Sequence, residues 1–194
     1  VLEGLYGSSQ FGFATSISED GSLLAVGAKG ARNEEGGQTG AVYLYSLSTL
    51  ISSQSDNTTP EPFKILYGQN EDDEFGNAVA LSSDGSIFVV GGRGYTSDGE
   101  VAPAIGRCRI FERTGTGQYE LLHTILGKNE REELGWSASI SGDGNKVACG
   151  GKGGKMFDFG GTGVVRVWDR LSLQESEVLP RGERFSSVKG ASFG

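Results

Sequence analysis

One pattern occurs three times in this chain and limits what it can fold into. It reads Phe11-Gly12, Asp20-Gly21, then Ala25-Val26-Gly27-Ala28; Phe75-Gly76, Asp84-Gly85, then Val89-Val90-Gly91-Gly92; and Leu134-Gly135, Asp143-Gly144, then Ala148-Cys149-Gly150-Gly151. The opening pair and the Asp-Gly pair both advance by 64 residues and then by 59. A repeat of that length, built from short strands, implies a radial array of sheets such as propeller blades. A further step of 59 from Leu134 reaches Phe193-Gly194, the last two residues. The chain, which begins at Val1, therefore reads as a processed or partial piece that stops as a fourth unit opens.

Each unit reads as four strands. Phe11, Phe13, Thr15 and Ile17 alternate with smaller residues, as on a half-buried strand, and run into Glu19-Asp20-Gly21-Ser22. Asp-Gly between two strands predicts a type I′ hairpin, with positive φ at both residues. Leu23 to Ala28 is a nearly continuous apolar run, suited to a strand covered on both faces. The third strand recurs as Gly40 to Tyr45, Gly106 to Phe111 and Gly163 to Trp168, and the fourth covers Pro62 to Tyr67 and Tyr119 to Leu126. Within the third strand, Val42, Cys108 and Val165 share one position and Leu44, Ile110 and Val167 another, two residues on and so on the same face. No segment shows a capped 3.6-residue apolar period, so essentially no helix is expected. The expected fold is all-β: three complete four-stranded antiparallel blades from a propeller of six to eight. The units fall at about 5–63, 64–122 and 123–180, with a further unit starting over 181–194.

Composition narrows the class. Glycine makes up 33 of 194 residues, about 17% against roughly 7% on average, without a collagen triplet, so it must serve turns. The net charge of −8 with a pI near 4.7, and the lack of any basic stripe, exclude a protein that tracks nucleic-acid phosphates. No apolar run approaches the roughly 18 residues of a spanning helix, so no membrane insertion is expected in this segment. Cys108 and Cys149 are too few for a disulfide scaffold and lack metal-type spacing, and both stand where other units carry valine. That predicts two buried free thiols. Asn57-Thr58-Thr59 has the spacing of a glycosylation acceptor and would mark a secreted chain, although Pro60 directly after it weakens the match.

The Phe-Gly opening, the Asp-Gly turn, the Val-Gly-Ala-Lys or Val-Gly-Gly-Arg element and the Gly-Ala-Val-Tyr-Leu-Tyr strand resemble the FG-GAP repeat of integrin α-subunit propellers over about residues 5–179. The resemblance implies a cell-surface or extracellular protein engaged in adhesion or ligand recognition. Two departures mark a divergent branch. Lys29, Arg93 and Lys152 replace the proline of the family's Gly-Ala-Pro element. Each turn also keeps one aspartate, Asp20, Asp84 or Asp143, where calcium-binding members place several acids; calcium needs six to eight oxygens, so no cofactor is expected and calcium is disfavoured. The WD repeat is the alternative, on Ser-x-Asp-Gly and Val167-Trp168-Asp169, but a period near 60 exceeds its usual 40 to 45.

Candidate chemistry is sparse. The single histidine, His123, lies on a predicted strand with no accompanying nucleophile motif, which reads as packing or surface. Lys152-Gly153-Gly154-Lys155 fails as a phosphate loop, with Cys149 at the first glycine and Met156 at the Ser/Thr. Asp158-Phe159-Gly160 lacks any kinase context. The acidic runs 71–74 and 130–133 precede the first strand of successive units; they read as solvated connectors, or else as a negative strip for a cation or basic partner. The variable loops Lys29–Thr39, Arg93–Ile105 and Lys152–Thr162 emerge on one rim, either as connectors or as a binding surface. The candidate partner-binding residues there are Arg32, Asn33 and Glu34, then Arg93, Tyr95 and Asp98, then Lys155, Phe157 and Asp158.

The expected function is a non-catalytic interaction or structural module that binds a protein or glycan partner or further copies of itself. The alternatives are an intracellular WD-type scaffold, or the frame of an enzyme whose active site lies outside this chain.

Overall fold

Among the described residues, twelve strands form three four-stranded antiparallel meanders. The computed structural model describes residues 2–4, 7–56, 60–96, 104–153 and 163–176. The first sheet is β1 (Phe11–Ile17), β2 (Leu23–Ala28), β3 (Ala41–Ser46) and β4 (Lys64–Tyr67). β5 (Phe75–Leu81), β6 (Ile87–Gly92), β7 (Arg107–Arg113) and β8 (Tyr119–Leu126) make the second. The third contains β9 (Leu134–Ile140), β10 (Lys146–Gly151), β11 (Val164–Asp169) and β12 (Gln174–Ser176). In each sheet, strands pair in sequence order, as blades do. The sheets end at Tyr67 and Leu126, a few residues beyond the unit divisions drawn at 63/64 and 122/123.

The three sheets stack through two apolar interfaces. Leu23, Ala25, Val42 and Leu44 of the first sheet meet Phe75, Val79, Phe88, Val90 and Phe111 of the second. On the opposite face of the second sheet, Ile87, Val89, Cys108, Ile110 and Ile125 meet Leu134, Val147, Cys149 and Trp168 of the third. The β2 and β6 runs are buried on both faces because each of these strands has a sheet on either side or, for β2, the Phe11, Tyr43 and Tyr45 cluster.

Close approach at the start of each first strand depends on glycine. A Cβ on Gly27 would collide with the Gly76 carbonyl of the next sheet, and one on Gly91 with the Gly135 carbonyl. Gly76 and Gly135 themselves sit at φ 92° and 94°, inside a bulge that follows the first residue of the strand.

Essentially no helix is expected, and the described residues hold one short one: α1, Leu47–Asp56, follows β3. Its Ser- and Thr-rich sequence reads as a loop, because such residues compete for the backbone with their own side chains. Ser46 stands at its start, a favoured capping type, and Leu50 packs on the cluster around Tyr43. No described helix is long and apolar enough to cross a membrane.

The Asp-Gly turns also differ from expectation. Only the glycines, Gly21, Gly85 and Gly144, have positive φ (67°, 65° and 72°), so these are not type I′ turns. Each is a four-residue loop closed by an outer bond, such as Ser18 N to Leu23 O at 3.0 Å, and an inner one, Gly21 N to Ser18 O at 2.9 Å. The aspartate accepts the N–H two residues on: Ser22 to Asp20 at 2.9 Å, Ser86 to Asp84 at 3.0 Å and Asn145 to Asp143 at 3.0 Å. Ser18, Ser82 and Ser141 hydroxyls donate to the same carboxylates.

The largest correction concerns the cysteines. Cys108 and Cys149 are not free thiols but a disulfide, with Cα atoms 6.5 Å apart, toward the upper end of the bonding range. Cys108 lies on the face of β7 that looks toward the third sheet, and Cys149 on the face of β10 that looks back at the second, so two valine-like positions meet across one interface. The bond closes a segment with a sequence separation of 41, for which the chain-entropy relation gives about 4 kcal/mol. Denatured protein without reductant should show no thiol by Ellman titration. Reduction should lower urea stability by about 2–4 kcal/mol, and Cys108→Val/Cys149→Val should lose less, because valine refills the interface.

Acid stability follows from the turns. The Ser141 hydroxyl first, then the Asn145 amide, holds the Asp143 carboxyl down at about 2, and Asp20 and Asp84 are lowered in the same way. A carboxyl depressed on folding stabilises above its ordinary value, and that contribution is lost as pH falls through its folded value. The urea midpoint of Asp143→Asn should therefore lie below that of the parent at pH 7, and the two should converge as pH falls from about 4 to about 2.

Candidate functional site

A ladder of charges and aromatic rings crosses all three sheets at one rim. Its cations stand just past the second strand of each sheet: Lys29, Arg93 and Lys152. Its acids stand just before the first strand: Glu74 and Glu133, with Gln10 in the equivalent place of the first sheet. Those three residues share φ of 52°, 50° and 49°, uncommon for non-glycine residues and costing about 1–2 kcal/mol each. The repeated turn that holds them is closed by Phe13 N to Gln10 O, Asn77 N to Glu74 O and Trp136 N to Glu133 O, at 3.0 to 3.2 Å.

Glu74 joins two sheets. It lies 3.5 Å from Lys29 Nζ and receives Arg93 Nε at 2.6 Å and Nη2 at 2.9 Å, a bidentate pair. Arg93 then gives Nη1 to Glu133 at 3.2 Å, reaching the third sheet. The cations also cover rings: Lys29 over Phe13 at 3.9 Å, and Arg93 and Lys152 over Trp136 at 4.5 and 4.4 Å. Phe13 is 50% exposed and Trp136 41% exposed, so the rim presents two rings with preset cations beside them.

Beneath the ladder the acidic runs are solvated connectors only in part: Glu71, Asp72, Glu130 and Arg131 are exposed. Asp73 and Glu132 are fully buried and pair with Arg107 and Arg166. Glu132 receives Arg166 Nε at 2.8 Å and Nη2 at 3.0 Å, the Lys128 and Asn129 amides at 3.0 Å and Asn129 Nδ2 at 2.9 Å. With these bonds the carboxylate is satisfied, and it ties the connector to β11. Among the described residues, no three His, Cys, Asp or Glu side chains converge as a metal site would need.

The residues singled out from sequence divide. Arg93 is the centre of the ladder, and Tyr95 lies over Arg107, 4.0 Å from ring centroid to guanidinium. Arg32, Asn33 and Glu34 sit apart in a tight hairpin: Arg32 bonds the Gly36 carbonyl at 2.7 Å, Asn33 accepts the Gly37 amide at 2.8 Å, and Glu34 is exposed. Asp98, Lys155, Phe157, Asp158 and Asn57 lie outside the described residues. His123 stacks flat on Trp168 with centroids 4.9 Å apart, the packing place read for it. Phe13, Lys29, Trp136 and Lys152 were missed as ladder residues, whereas Glu74 and Glu133 belong to the acidic runs that offered a negative strip. The signal was present: a base after strand two and an acid before strand one, at equivalent offsets in successive units.

Removing one partner of a buried pair leaves a charge stranded. Arg166→Met should cost about 3–5 kcal/mol in urea unfolding, and adding Glu132→Leu should recover most of it. Arg93→Ala, on the half-exposed ladder, should cost at most about 1 kcal/mol.

No family model and no curated protein matches this sequence. Among solved structures, the fold is similar to that of Kuenenia stuttgartiensis hydrazine synthase, with a TM-score of 0.51 and 13% identity. The alignment covers 92% of this chain and 38% of that one, so this chain spans well under half the length of that protein, and at such identity the likeness is one of fold alone.

Proposed function

We propose that this chain is part of a larger β-propeller that acts as a non-catalytic binding module at the cell surface or outside the cell, with the charged aromatic rim as its contact surface. The observation that carries this reading is Trp136, clasped between Arg93 and Lys152 yet two-fifths exposed. Trp and Arg dominate binding energy when a partner covers them, and the ion pairs to Glu74 and Glu133 hold Arg93 in place beforehand. The partner is a protein or glycan seated on Phe13 and Trp136, with no cofactor and no calcium required.

The buried disulfide favours an oxidising compartment over an intracellular WD-type scaffold. A larger array is supported by the outer face of the third sheet. Ala148, Val165 and Val167 occupy the register of Val89, Cys108 and Ile110, which are fully buried against the next sheet. Val165 is instead 44% exposed, which suits a face made to receive a further four-stranded sheet of the same repeat. An FG-GAP-like ring of six to eight blades would supply that sheet.

Trp136→Ala and Arg93→Ala, checked for parental circular dichroism, should each weaken binding by at least about tenfold in a screen of extracellular proteins and glycans. Binding that survives in the double variant would place the contact surface elsewhere.

A further inference from the structure

The third sheet closes its buried carboxylate completely, and the second does not. Arg166 and Arg109 occupy the same register position, opposite Cys149 and Val90. Glu132 reaches Arg166, but its counterpart in the second sheet, Asp73, is one methylene shorter and pairs with Arg107 instead. Among the described residues Arg109, 5% exposed, has no hydrogen bond or ion pair; its aromatic neighbour, the Phe75 ring, is 5.8 Å away.

Three buried polar atoms lack partners there: Nε of Arg109, Nε of Arg107 and Oδ1 of Asp73. Burial, and next the Arg107 cation, pull the Arg109 guanidinium down to about 10, while Asp73 and Tyr95 oppose the shift, so it keeps its charge at pH 7. Two guanidinium groups thus lie near one buried carboxylate, which pairs with Arg107 alone. An unpaired buried charge is among the most costly features a fold can carry. Tyr95, half-buried at the start of the second rim loop, covers the Arg107 guanidinium.

We propose that a small monovalent anion, chloride or the carboxylate of a small organic acid, binds between Arg107 and Arg109 beneath Tyr95. It supplies the charge and the acceptor atoms that Glu132 supplies in the third sheet, and it draws its selectivity from size and from the two guanidinium donors. Its position behind Tyr95 makes it distinct from the exposed ladder around Trp136.

Thermal unfolding tests this at constant ionic strength in sodium chloride, sodium acetate and sodium gluconate, the last anion being too large to be enclosed. The melting temperature should rise by at least about 4 °C in chloride or acetate relative to gluconate, saturating with concentration as specific binding does. Whichever salt gives the rise identifies the source of the anion. Arg109→Met should abolish the dependence. If that variant does not fold, Asp73→Glu decides: its longer carboxylate can reach Arg109 as Glu132 reaches Arg166, and it should melt at the same temperature in all three salts. Equal melting of the parent protein in the three salts overturns the proposal, as does an unchanged anion dependence in the variant that decides.

Discussion

The contact of glycine backbone on glycine backbone between successive sheets is the constraint from which the rest of the structure follows. Gly27 lies against Gly76, and Gly91 against Gly135, so close that a methyl group at either first glycine would strike a carbonyl. That approach lets Phe75 and Leu134, one residue earlier, enter the interfaces fully buried. It also sets adjoining backbone bonds, Phe75 N to Thr39 O at 3.1 Å and Leu134 N to Ile105 O at 3.0 Å, which stitch the third-strand loop of one sheet to the first strand of the next. Apolar burial drives the stacking, but the glycines decide its distance and register.

Once the sheets are that close, polar groups at their edges must find partners. The residue before each first strand is turned over the rim by its positive φ, where Glu74 and Glu133 meet cations from either side. The residue before that turns inward, and Asp73 and Glu132 are buried against arginines of their own sheets. Neighbouring acids in one connector thus have opposite fates. One forms an exposed and adaptable ladder worth little to stability, and the other forms a desolvated pair whose disruption is costly. The rim can therefore change at little cost while the pairs beneath it cannot.

The sequence taken alone determined the strands, the places of the turns and their repetition. These depend on neighbours in the chain: alternation places Val42 and Leu44 on one face, and Asp20-Gly21 turns the backbone through bonds within six residues. Arg93 and Tyr95 were legible as residues of a variable loop on a common rim. What only the tertiary structure decided was which repeated positions face each other across a sheet interface. Cys108 looks forward and Cys149 backward, and nothing within either unit says that those two faces coincide. The same holds for Asp73 with Arg107 and Glu132 with Arg166, separated by 34 residues in each case, and for Trp136 beneath Arg93 of the preceding sheet. Periodicity records the face of a strand on which a side chain lies, but the rotation and spacing that bring two faces together arise from packing whole sheets, so Asp73 and Glu132 read as solvent-facing until that packing buries them.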